Sequence, residues 1–190
     1  MSPRLLLLAV AALATVLTAC APDPETTASP TETITPSVTA SASASASATA
    51  TAVAVPTDCR AILSASVLSQ LADTPLNDPD TGVSTGVQAD GSLVCLWRDP
   101  AADTTYLQTT ISQMSSGPAL DMLNELVTDE GFTCYTPSSG TRCEKTWTDA
   151  TYPVTDGRTL FYRDGIMIDT SYSNLAPSGY TDSIVASLFG

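Results

Sequence analysis

The side chains best suited to chemistry in this sequence are its cysteines and carboxylates, because the chain contains no histidine. Without histidine, Ser-His-Asp and Cys-His catalytic sites are impossible, and the commonest metal ligand is missing. The five cysteines contain no Cys-x-x-Cys pair, which argues against zinc. Four of them follow Cys20, and an even set of this kind favours disulfides in an oxidising compartment. These four are Cys59, Cys95, Cys134 and Cys143.

Four cysteines can pair in three ways. Cys134 and Cys143 lie on opposite arms of a predicted hairpin, which places them within bridging distance. This leaves Cys59 and Cys95, which would join the first predicted helix to the first predicted strand. We therefore expect the bridges Cys59–Cys95 and Cys134–Cys143.

The carboxylates are numerous, since 20 acidic side chains give the chain a net charge of −13. Nucleic acid and anionic membrane surfaces are poor partners for such a chain, because binding either relies on Lys and Arg. Glu144 with Asp156 or with Asp169 could form a catalytic pair, but the spacing selects neither. Surface charge and turn capping explain these residues as well. The sequence therefore marks no catalytic residue and favours a protein without enzymatic activity.

Two further patterns have a functional and a structural interpretation. Residues 77–82, Asn-Asp-Pro-Asp-Thr-Gly, place hard oxygen ligands in one loop and resemble part of a calcium loop, but an Asx-type turn explains them equally. Five aromatic residues could line a groove for a glycan or peptide, or could fill and edge the core. These are Trp97, Trp147, Tyr152, Tyr162 and Tyr172. We expect no metal and no other cofactor.

The first twenty residues carry an export pattern. A short start containing Arg4 precedes a largely apolar run over residues 5–17, which ends in Leu17-Thr18-Ala19-Cys20. The run is too short to span about 30 Å of hydrocarbon comfortably and is typical of a signal-peptide core. The four closing residues resemble the lipobox of bacterial lipoproteins, in which small residues precede a cysteine that is diacylated and becomes the mature N-terminus.

This resemblance implies a signal peptide over residues 1–19 and a lipid (palmitate) on Cys20. The membrane would then be a partner through that lipid, and the protein would face the cell wall from the outer face of the cytoplasmic membrane. Two acyl chains hold a protein firmly, whereas one gives only reversible attachment. An ordinary secretory signal is the alternative, because Ala19-Cys20-Ala21 also has the small-x-small pattern of a cleavage site.

Residues 20–56 form the next segment and are almost entirely Ala, Ser, Thr and Pro. Apart from Ile34 and three valines, they offer no large apolar side chains whose burial could offset the entropy of ordering, so a disordered tether is expected. Residues 57–190 have the mixed pattern of a single globular domain, of a length that can bury a core.

Within this domain, local patterns predict helices and hairpins. Asp58 would cap the first helix, Leu120 and Val127 would lie in the core stripe of the second with Leu123 and Leu126, and Asp164-Gly165 is a strong hairpin turn. The predicted helices are 60–71, 119–129 and 181–189, and the predicted strands are 92–98, 104–113, 132–135, 142–147, 158–163 and 166–172. The sum is an α+β fold: an antiparallel sheet of five or six strands packed with two or three helices and stabilised by disulfides.

The Asp58-Cys59 helix start followed by Cys95-Leu96-Trp97 is similar to small cell-envelope lipoproteins of actinobacteria, over roughly residues 57–98. The pair Cys134 and Cys143 departs from that pattern. Such relatives are mostly uncharacterised or resemble extracytoplasmic sensor and substrate-binding modules, so the resemblance implies a location more than a reaction. Because the residues mark no catalytic constellation, we expect a non-catalytic module that binds an envelope ligand or protein. A carboxylate-dependent hydrolase and a structural surface protein are the alternatives.

Overall fold

The computed structural model describes residues 52–190. The signal peptide, Cys20 and most of the predicted tether lie outside these residues. Three α-helices and seven β-strands make up the described part. In chain order they are α1 (Ala65–Gln70), β1 (Gly86–Val87), β2 (Leu93–Trp97), β3 (Tyr106–Gln113), α2 (Ser116–Glu130), β4 (Thr133–Tyr135), β5 (Thr141–Thr148), β6 (Thr155–Arg163), β7 (Ile166–Ser173) and α3 (Tyr180–Phe189).

All seven strands belong to one antiparallel sheet with the order β1-β2-β3-β7-β6-β5-β4. The expected α+β class is therefore confirmed, but the expected number of five or six strands is wrong. The additional strand is β1, which has two residues and is too short for any periodic pattern to indicate it. Asp90 stabilises the turn between β1 and β2, because its Oδ1 accepts from the backbone N–H of Ser92 at 2.9 Å.

The β6–β7 hairpin follows the predicted register. Asp164 and Gly165 both have positive φ angles, 49° and 81°, as a type I′ turn requires. Phe161 consequently pairs with Ile168, and Leu160 pairs with Asp169. Because neighbouring residues of a strand point to opposite sides, this register sends Phe161 and Leu160 into different cores.

One face of the sheet, here the α1/α3 face, carries the larger core. Its strands contribute Leu93, Ile111, Phe161 and Ile168, which are at most 1% exposed. Val67 from α1 and Ile184 and Val185 from α3 pack on them. Cys59 and Cys95 lie in the same core and form the first predicted bridge, with their Cα atoms 5.7 Å apart.

The opposite face, here the α2 face, has a smaller core of Cys143, Leu160 and Met167 under α2. The second predicted bridge, Cys134–Cys143, joins directly paired residues of β4 and β5, with Cα atoms 4.0 Å apart. The predicted stripe of α2 is partly wrong. Leu120 and Val127 are 45% and 43% exposed, because the buried side of the helix runs through Ala119, Leu123 and Leu126 instead.

The first helix also begins later than predicted. Asp58 accepts from the backbone N–H groups of Arg60 and Ala61 as an N-cap does. The turn that it starts gives way at Ser64, whose side chain accepts from Val67 N–H and caps α1. Two successive capping residues therefore divide the predicted helix into a turn and a short helix.

The chain approaches this domain at the turn end of β6 and β7. Val53 and Val55 are half-buried and pack against the larger core. Ala52 and Val53 share a small depression with Asp164 and Gly165 of the β6–β7 turn. Packing thus begins before Thr57.

A candidate ligand-binding cleft

The helices leave part of the α1/α3 face uncovered. Their core lies over β2, β3 and the turn end of β6 and β7, whereas the far ends of β5, β6 and β7 carry polar side chains. A cleft of about 760 Å³ opens there. The segment before α3 and the first residues of that helix form its wall, through Pro177, Gly179, Tyr180 and Thr181.

Strand alternation builds the floor of the cleft in rows that cross the sheet. One row contains Phe161, Ile168 and Ile111, which are apolar and belong to the core. The next row, two residues further along each strand, changes to polar side chains. It contains Glu144, Thr159, Thr170 and Thr109. The cleft therefore begins where the pattern of one face changes from apolar to hydroxyl-bearing residues.

A buried hydroxyl network joins the floor to the wall. The Oγ1 of Thr109 lies 2.9 Å from the Oγ1 of Thr170 and donates to the Tyr180 hydroxyl at 3.0 Å. All three residues are at most 5% exposed. Burial raises the pKa of Tyr180, with hydrogen bonds opposing the shift, so its hydroxyl is neutral at ordinary pH. Since Tyr180 is the first residue of α3, this network fixes the start of the helix over the sheet.

Arg142 closes one side of the cleft. Its Nε lies 3.2 Å from Glu144 Oε2, a distance that makes an ion pair without the alignment of a hydrogen bond. Its Nη1 donates to Asp182 Oδ1 at 2.9 Å, which links β5 to the first turn of α3. Two carboxylates thus flank a single guanidinium.

Tyr172 supplies an aromatic surface beside these groups. Its ring lies across Gly157, the residue paired with it on β6, and any Cβ at Gly157 would clash with ring atoms. Burial raises the pKa of Tyr172, and the negative charge of Glu144 adds to this shift. The Tyr172 hydroxyl is therefore neutral and shares the cleft with Glu144.

The structure does not bring the hypothesised carboxylate pairs together. Glu144 faces the cleft, but alternation places Asp156 and Asp169 on the opposite face of the sheet. Asp169 there forms a bidentate ion pair with Arg158, at 2.7 and 2.9 Å. The hydrogen bond to Asp169 raises the pKa of Arg158 and outweighs burial, which lowers it.

Of the five aromatic candidates, Tyr172 alone is among the residues that line this cleft. Trp97 is fully buried, as the core interpretation expects, whereas Trp147 is 41% exposed and contradicts it. Tyr162 points to the α2 face, where its hydroxyl donates to the Met114 carbonyl. The sequence does not indicate that Arg142, Thr159 and the hydroxyl network belong to a site, because only long-range strand pairing brings them together.

The loop at residues 77–82 has the geometry of an Asx-type turn. Asp78 Oδ1 accepts from the backbone N–H of Asp80 at 2.9 Å. The side chain of Asn77 turns inward and accepts from Leu96 N–H at 2.8 Å. Within residues 52–190, no cluster of three or more His, Cys, Asp or Glu side chains is placed to hold a metal ion.

Comparisons with models of known protein families, with curated proteins and with solved structures found no match. Over the described range, no helix combines the length and apolar character needed to cross a membrane. Evidence about function therefore comes from the cleft itself and from the sequence that precedes the domain.

Proposed function

We propose that this protein is a lipid-anchored, extracytoplasmic binding module whose cleft takes a small polar ligand of the cell envelope without converting it. The observation that carries this proposal is the cleft of about 760 Å³ lined by convergent polar side chains. Its volume lies in the usual range for ligand pockets, about 300–1,000 Å³. A structural surface protein has no need of such a cleft.

The arrangement of charges favours binding over hydrolysis. A hydrolase with two catalytic carboxylates needs them facing each other across the substrate, about 5–9.5 Å apart. Glu144 is the one carboxylate among the residues that line the cleft, and it is paired with Arg142. Asp182 lies outside the lining and is held by the same guanidinium. Neither carboxylate is left facing a partner across the cleft.

Two features support the proposed location. The lipobox-like residues that end in Cys20 follow a signal-peptide pattern. The two disulfides of the domain are typical of proteins exported to an oxidising compartment. The low-complexity segment over residues 21–56 would then separate the domain from the membrane surface.

The binding part of the proposal is tested by filling the cleft. Thr159 is half-buried on the cleft floor, and Thr159→Trp would occupy the space that a ligand needs. Thr146→Trp does the same at the exposed rim. The matched control is Thr110→Trp, because Thr110 is also a half-buried strand residue but faces the other side of the sheet.

Ligands are sought by screening envelope-derived sugars, peptides and esters against the mature protein by calorimetry, with product analysis for turnover. We expect a ligand whose affinity falls at least ten-fold in both cleft variants and is unchanged in the control. Urea unfolding verifies that all three variants fold. Turnover that is lost in Glu144→Gln contradicts the proposal. So does a ligand whose affinity is unchanged in both cleft variants.

The anchor is tested with Cys20→Ser. The unaltered protein should partition into the detergent phase because of its acyl chains. The variant should be retained unprocessed or released into the medium. Normal membrane attachment of Cys20→Ser contradicts the lipid anchor and leaves the cleft untouched.

A further inference from the structure

We infer that the ligand of the cleft is an uncharged, polyhydroxylated ring, the chemistry of a neutral sugar. This inference rests on the proposed binding function and specifies what the same site recognises. Four properties of the cleft support it. Its basic residues already have partners, it lacks the aromatic cage of a cation site, threonine hydroxyls line it, and one tyrosine ring adjoins them.

Both basic residues that line the cleft already contact groups of the protein. Arg142 is held by Glu144 at 3.2 Å and by Asp182 at 2.9 Å. Lys145, the other basic residue of the lining, directs its Nζ to the Glu130 carbonyl and lies over the ring of Phe132. A carboxylate or phosphate would have to compete with these partners. The net charge of −13 adds a long-range repulsion.

A cationic ligand is also disfavoured. Sites for organic cations surround the charge with several aromatic faces. Two tyrosines line this cleft, but Tyr180 is only 5% exposed and its hydroxyl is bonded to Thr109. Tyr172 alone therefore cannot form a cage. Glu144, the one carboxylate among the lining residues, already pairs with Arg142.

Hydroxyl groups of the floor match those of a sugar. Thr133, Thr146 and Thr159 line the cleft on three adjacent strands, β4, β5 and β6. Each threonine hydroxyl both donates and accepts, as does each hydroxyl of a sugar. The Arg142–Glu144 pair adds fixed donors and acceptors side by side. A polyhydroxylated ligand can use this mixture without bringing a charge into the site.

Tyr172 provides the surface on which a ring can lie. The neighbouring glycine, Gly157, leaves room for the tyrosine ring to lie across β6, and this ring also contributes to the lining of the cleft. Pro177, which is half-buried, extends this apolar strip. A sugar ring has apolar C–H faces and polar edges, and it fits a site in which an aromatic strip adjoins hydroxyl groups.

The inference is tested with three trisaccharides of similar size and different charge. The neutral probe is N-acetylchitotriose, the cationic probe is its deacetylated form, and the anionic probe is trigalacturonate. Calorimetry of each with the mature protein should show binding of the neutral probe and at least ten-fold weaker binding of both charged probes. Loss of that binding in Thr159→Trp places it in the cleft.

Tyr172 variants test the platform. Tyr172→Leu should weaken binding of the neutral probe about ten-fold, the size of a lost aromatic stacking contact. Tyr172→Phe should retain most of it. Tyr152→Leu is the matched control, since Tyr152 is 52% exposed and is not among the lining residues.

The outcomes of these experiments distinguish failure of the neutral-sugar inference from failure of the proposed binding function. Preference for a charged probe, or cleft binding of a charged envelope ligand while neutral sugars do not bind, overturns this inference and leaves the binding function standing. A neutral probe that binds Tyr172→Leu as well as the unaltered protein also overturns it. Absence of any ligand that is sensitive to Thr159→Trp overturns the proposed function itself.

Discussion

The two faces of the central sheet are covered by helices in different ways. On the α1/α3 face, two helices and the Cys59–Cys95 bridge surround a large core over β2, β3 and β7. On the α2 face, one helix covers a smaller core centred on Cys143, Leu160 and Met167. Each face therefore leaves a part of the sheet bare, but only the α1/α3 face has a wall beside the bare part.

That wall explains why one bare region is a cleft and the other is a surface. Beyond the Phe161–Ile168 row, the α1/α3 face is bordered by the segment before α3, which Tyr180 ties to the floor. The bare part of the α2 face instead carries the ion pair between Arg158 and Asp169. Polar residues on a strand thus make a candidate site only where a second element rises beside them.

The largest expected effect compares the two cores through neighbouring residues of β6. Phe161 and Leu160 are 1% and 0% exposed and point to opposite faces. Phe161→Ala should lower the free energy of unfolding by about 3–5 kcal/mol and Leu160→Ala by about 2–4 kcal/mol, because the larger ring leaves the larger cavity. Urea unfolding measures both. Thr155→Ala, at an exposed position of the same strand, should stay within about 0.5 kcal/mol.

A larger loss at Leu160 than at Phe161 would contradict the assignment of the principal core to the α1/α3 face. A loss at Thr155 of similar size would show that the strand itself, and not either core, determines the effect.

A smaller difference is expected between the two disulfides. The bridges span sequence separations of 36 and 9 residues. Loop-closure entropy predicts losses of about 3.8 kcal/mol for the double serine variant of Cys59 and Cys95, and about 2.7 kcal/mol for that of Cys134 and Cys143. Denaturant unfolding of the two variants under identical conditions tests the order. A greater loss for the shorter loop would show that local packing outweighs chain entropy.

Local chemistry made some elements predictable. The Asp164-Gly165 turn requires positive φ at both residues, so two residues fix the register of the whole β6–β7 hairpin. The predicted β4–β5 hairpin placed Cys134 opposite Cys143, and elimination then gave the second bridge, Cys59–Cys95. The start of α1 was not predictable, because Asp58 and Ser64 both act as caps and tertiary packing decides which of them begins the helix.

The buried side of α2 and the cleft could not be predicted from the sequence, because both depend on contacts between residues far apart in the chain. In α2, the stripe through Leu120 and Val127 adjoins the stripe through Ala119 and Leu126, and packing against the sheet buries the second. The cleft likewise depends on long-range contacts. Glu144, Thr159 and Thr170 lie in one row only after three strands have paired, and no local spacing indicates it.

The valines that precede Thr57 show where the chain joins the domain. Val53 and Val55 bring the chain onto the domain at the β6–β7 turn, beside Asp164. Tyr172 lies six residues along β7 from Ile166, about 20 Å away at the rise of an extended strand. In the proposed lipid-anchored state, the tether therefore meets the pole opposite the polar end of the cleft.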